Sequence, residues 1–132
     1  MRALLALVLV AGCATTTVFD PAGDRAYYEE TVARLLRQPG RPPLRPDQVD
    51  FARLRRGSAC ATAVAAALAQ ANARDDRATA LRTAEALLAH DFTDVAAHLT
   101  KARELHDAER GAEAGFHEAL ALGLMQARDA AD

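Results

Sequence analysis

Thirty-three of the 132 residues are alanine, and this narrows the possible folds further than any other feature of the chain. Alanine is the best helix former and fits poorly on a pleated strand. Tryptophan is absent and aromatic residues make up only 5% of the chain, so a core must come from close approach of small side chains with leucine as filler. The expected fold class is therefore all-α. The length suits one domain, and without residues 1–12 it still suits one core of four or five helices.

The N-terminus carries the strongest address signal. Met1-Arg2 is a short positive region, Ala3 to Ala11 are nine consecutive apolar residues, and Val10-Ala11-Gly12-Cys13 follows at once. This pattern reads as a lipoprotein signal peptide over 1–12 with a lipobox, cleaved between Gly12 and Cys13 and acylated on the Cys13 thiol. Nine residues rise only about 14 Å as a helix, roughly half of a hydrocarbon core, so a permanent transmembrane span is a poor alternative for this segment. Acyl chains on Cys13 would anchor the chain to a membrane, each buried methylene contributing about 0.8 kcal/mol. Ala14, not Asp, follows Cys13, which favours the outer membrane facing the periplasm in a Gram-negative cell. With Cys13 acylated, Cys60 is the remaining thiol and is expected to be a small buried residue without a partner inside the chain.

Residues 13–23 read as the acylated cysteine and a tether, and 24–132 as a single helical domain. Asp24 is expected to cap a first helix over 24–37 whose apolar stripe is Tyr28, Val32, Leu35 and Leu36. Four prolines between Gln38 and Pro46 make a stiff connector. Val49 to Leu54 suggest a short helix. Beyond Ser58, helical segments are expected near 59–72, 76–90, 94–107 and 111–125, and breaks this short imply antiparallel helical hairpins over about 58–126. Within them, Ala80, Ala84 and Leu87 match Ala112, Phe116 and Ala119 in spacing, at a shift of thirty-two residues. The pattern is tetratricopeptide-like, and the helix at 24–37 would be an N-terminal cap.

Several short patterns also stand out: Tyr27-Tyr28, then Val49-Asp50-Phe51-Ala52-Arg53-Leu54-Arg55, Ala97-His98, Phe116-His117 and Gly123-Leu124. On these the chain resembles an uncharacterised bacterial family, a domain of unknown function. The resemblance implies a helical protein and brings no assigned activity. Such proteins continue past the Gly-Leu with a Gly-Asp-Gly segment and a C-terminal extension, whereas here Ala127 to Asp132 follow.

Chemistry-bearing constellations are few. Fifteen of the sixteen basic residues are arginine and the net charge is −2, which argues against a nucleic-acid partner. Charge is uneven: seven arginines lie between Arg34 and Arg56, while acids dominate from Asp75 onward. The basic stretch would pack on the acidic half, be solvated, or rest on anionic headgroups. Ser58 is the sole serine and lies in no nucleophile motif. His98 and His106 are eight apart, so a metal site would need ligands from several helices. Asp94, His98 and His117 form the candidate polar cluster, with each imidazole expected to bond a nearby carboxylate, Asp94 or Glu113. No cofactor or metal is expected, and no enzymatic activity. The expected role is a lipid-anchored periplasmic helical scaffold that binds a protein or peptide. The alternatives are a structural envelope lipoprotein without a discrete partner, or a metal- or thiol-dependent activity of the histidines or Cys60.

Overall fold

The computed structural model describes residues 20–131, so the signal peptide, Gly12 and Cys13 lie outside the described residues. Within them the chain is all-helical: α1 (Pro21–Leu35), a 3-10 turn (Pro46–Gln48), α2 (Phe51–Gly57), α3 (Thr62–Ala73), α4 (Arg77–His90), α5 (Val95–Asp107) and α6 (Gly111–Ala131). None of these helices is long and apolar enough to cross a membrane.

The first helix starts earlier than expected. Asp20 is its cap, accepting a hydrogen bond from Gly23 N at 3.0 Å, with Pro21 in the first turn where its missing N–H costs nothing. Asp24, expected as the cap, sits inside the helix and is buried. There it accepts from Arg53 Nε at 3.2 Å and Arg56 Nε at 3.1 Å of α2. α1 and α2 touch backbone to backbone, because a Cβ on Gly57 would lie 2.0 Å from the Asp24 carbonyl oxygen. Leu36 is not part of the buried stripe: the helix ends one residue before it and leaves it 51% exposed. Arg34 reaches the Pro42 carbonyl at 2.9 Å and Arg41 pairs with Glu30 at 2.7 Å. Together with Arg53 and Arg56, these basic side chains find partners within the N-terminal half itself.

From α3 onward each helix packs on the next, α3 on α4, α4 on α5 and α5 on α6, while α2 packs on α6. Asp76 and Asp94 cap α4 and α5 by accepting from Thr79 N and Ala97 N. The α3–α4 and α5–α6 turns have the same geometry. Asp75 (φ 53°) and Glu109 (φ 60°) are left-handed, and the following amides return to Ala71 O at 3.0 Å and Leu105 O at 2.8 Å, the closing bond of a Schellman-type end. Those positions are thirty-four residues apart. Burial repeats at the same offset, with Leu68 and Ala102, Ala71 and Leu105, Ala80 and Ala114, and Leu87 and Ala121 all buried.

The offset of thirty-two read from the sequence therefore picks the wrong face of α6. Ala112 and Ala119 are exposed and Phe116 is half-buried, whereas Ala114, Leu120, Ala121 and Leu124 face the core. In a helix where alanine is everywhere, periodicity distinguishes faces poorly. Three clusters hold the described residues together: Tyr28, Leu35, Leu54, Phe92, Leu120 and Leu124 join α1, α2, the α4–α5 turn and α6, alanines with Leu68 and Leu87 join α3, α4 and α5, and Ala102, Leu105 and Ala114 join α5 to α6. Gly123 lets α2 close on α6, since a Cβ there would meet the Phe51 ring at 2.2 Å.

Candidate functional site

The turn between α4 and α5, residues 91–94, is where several long-range bonds meet. Tyr28 Oη of α1 accepts from Phe92 N at 2.8 Å, and Asp91 Oδ1 accepts from Ser58 Oγ at 2.5 Å, Thr93 N at 2.9 Å and Thr93 Oγ1 at 2.5 Å. Phe92 O, thus fixed, lies 2.7 Å from Nε2 of His98, which is fully buried one turn into α5. His98 Nδ1 in turn lies 3.0 Å from Nδ1 of His117 on α6.

This geometry determines the tautomers. A carbonyl only accepts, so His98 carries its proton on Nε2. Its pKa is lowered to about 4, chiefly by burial, so the ring is neutral and Nδ1 is an acceptor. His117 must then donate from Nδ1. Its own pKa is also lowered, by burial first and then by the charge of Lys101, which leaves a neutral ring with its lone pair on Nε2.

That lone pair belongs to a residue lining a groove of about 510 Å³ between the end of α1, the proline-rich connector and the first half of α6. Leu35, Leu44, Pro46 and Phe116 supply apolar walls, Arg37 and Arg45 bring positive charge, and Glu113 brings one negative charge. Arg37 stands in the left-handed region at φ 54°, where the chain turns out of α1.

Of the expected cluster, the structure brings together His98 and His117 but not Asp94. The Asp94 carboxylate caps α5 and lines a different cleft, with Ser58, Cys60, Asp91 and Arg128. Burial raises its pKa. The expected imidazole–carboxylate bonds are also corrected: His98 bonds a backbone carbonyl and another imidazole, while it is His106 that meets a carboxylate, Glu118. Cys60, expected to be buried, is exposed and is not a free thiol. Among the described residues, no three His, Cys, Asp or Glu side chains are grouped so as to hold a metal.

Sequence reasoning missed Phe92 O, Tyr28 Oη and the two groove arginines. One signal for the histidine pair was present. On an antiparallel hairpin, positions equidistant from the turn face each other, and His98 and His117 are equidistant from the Asp107–Ala108 step. No protein family, curated protein or solved structure matches this chain.

Proposed function

We propose that the chain is a non-catalytic, lipid-anchored helical scaffold that takes a protein or peptide segment into the groove beside His117. The observation that carries this reading is the groove's composition. Apolar walls, one uncharged imidazole held in a fixed orientation, two flanking guanidinium groups and the Glu113 carboxylate suit a segment that presents an apolar side chain beside hydrogen-bonding polar groups. The repeated turn geometry and the thirty-four-residue burial pattern support a tetratricopeptide-like arrangement, since that is the period of such units. Membership of the domain-of-unknown-function family is proposed on the motifs alone. Its Tyr28, Phe51, His98, His117 and Gly123 meet one another directly or through Phe92 and α2.

The anchor is proposed from the lipobox, and with it a place in the cell envelope, on the outer membrane facing the periplasm if the cell is Gram-negative. Acylation commits the Cys13 sulfur to a thioether and closes it to disulfide exchange with Cys60. Mass spectrometry of the mature protein isolated without reductant separates the two fates. Diacylglyceryl on Cys13 supports the anchor, whereas a Cys13–Cys60 cross-linked peptide overturns it.

For the groove, a photoreactive p-benzoylphenylalanine in place of Leu36 should give discrete adducts in living cells, and Phe116→Glu should remove them. Adducts that persist with the groove blocked would refute it as the binding site.

A further inference from the structure

The thirty-four-residue relation places α5 and α6 one unit beyond α3 and α4, and the internal junction between units is the α4–α5 contact. There Lys101 Nζ lies 2.7 Å from Glu85 Oε1, Arg77 pairs with Glu104 and Asp107, and Ala97 is fully buried.

Moved forward one unit, the α4 side of this junction falls on α6: Arg77 becomes Gly111, Glu85 becomes Ala119 and Leu88 becomes Leu122. All three are exposed, Leu122 by 54%, and apart from the adjoining residues and backbone of α6 itself nothing lies within 4 Å of a Cβ built on Gly111 or on the nearby Gly115. Moved back one unit, the α5 side falls on α3: Ala97 becomes Ala63, Lys101 becomes Ala67 and Glu104 becomes Gln70, again all exposed. Every charge that rims the internal junction is missing at the matching position on the two end faces. Indeed α3 contains no charged residue from Thr62 to Ala73, in a chain of which 26% is charged. α2 meets α6 at Gly123, one turn beyond Ala119 on the adjoining edge of the helix, and it leaves Gly111, Ala119 and Leu122 exposed.

We propose that these faces are the two halves of one interface, the α6 face of one copy receiving the α3 face of the next, so that the α4–α5 junction is repeated between molecules. Two such units bury a continuous core poorly, and a second copy supplies the third. Because the two surfaces differ, the contact is heterologous and leaves a free face at each end, so association propagates with concentration.

The test is sedimentation equilibrium of the full chain in density-matched detergent, where only protein mass is read. The wild-type mass should rise beyond that of a dimer as concentration increases. Leu122→Glu and Ala67→Glu, both at exposed positions, should each be monomeric with unchanged helical circular dichroism. Mixed together, they should recover a species of twice the monomer mass and stop there, since each retains the face that the other has lost. Mixing Ala119→Glu with Ala67→Lys should likewise restore association by rebuilding the Lys101–Glu85 pair between copies. A wild-type chain that stays monomeric, single variants that still associate, or a mixture that does not recover the dimer would each overturn the proposal.

Discussion

Asp24 and His98 are both buried polar side chains, and the molecule accommodates them in opposite ways. Asp24 keeps company with two guanidinium groups whose outer parts still reach solvent, Arg53 at 38% and Arg56 at 34% side-chain exposure. Among the described residues His98 has no salt-bridge partner, and Asp91 acts on it only through space. The ring is held uncharged between a carbonyl and a second imidazole. The N-terminal pair of helices thus meets the cost of burial by charge compensation, and the α5–α6 hairpin by suppressing charge altogether. Removing a partner should therefore harm the first, and adding a proton should harm the second.

The largest effect is expected at Asp24. Replacing Arg53 and Arg56 together by methionine preserves most of the apolar stem packing and strands a buried carboxylate without a positive partner. The expected loss is about 3 to 5 kcal/mol, read as a shift in the urea midpoint at unchanged slope. A loss below 1 kcal/mol would mean that Asp24 is hydrated and the comparison fails.

Acid should act on the other region. The unfolded chain binds a proton at His98 near pH 6.5, but the folded chain does so only near pH 4. In that window the unfolded state binds more protons, so stability falls as pH drops from about 6.5 to about 4. The full effect is about 3 kcal/mol, present above pH 6.5 and lost by pH 4. Its signature is a difference in slope: stability of the wild type should fall more steeply across this window than that of His98→Gln. Parallel curves would show that His98 is not the neutral group described here.

The smallest change probes the link between the regions. Tyr28→Phe removes the acceptor of the buried Phe92 amide and should cost about 1 to 2 kcal/mol, with faster hydrogen exchange at Phe92. If only α1 loosened, leaving His98 exchange untouched, the two regions would be mechanically separate.

Much of this architecture was legible in the residues. The polar breaks around Asp75, Asp91 and Ala108 separate helices within a few positions of their observed ends, because capping carboxylates and left-handed turn residues are local devices. What was not legible follows from two causes. Asp20 and Asp24 are both plausible caps, and only the arrival of Arg53 and Arg56 from α2 decides between them. Likewise the buried face of α6 depends on which alanines meet α5 and α2. His98 and His117 were recognisable as a pair, but their acceptor is a main-chain oxygen that has no letter in the sequence.

The Tyr28–Phe92 bond has a consequence in time. Its partners are 64 residues apart, whereas α1 meets α2, and α3 to α6 pack in succession, through neighbours in the chain. Closing the longer loop carries the larger entropic cost and contributes nothing until the α4–α5 turn exists to receive it. The α1–α2 pair therefore reaches the α4–α5 turn late in folding, and for that interval Tyr28 and Leu35 wait partly uncovered. The bond that joins the two regions is thus the last to be secured.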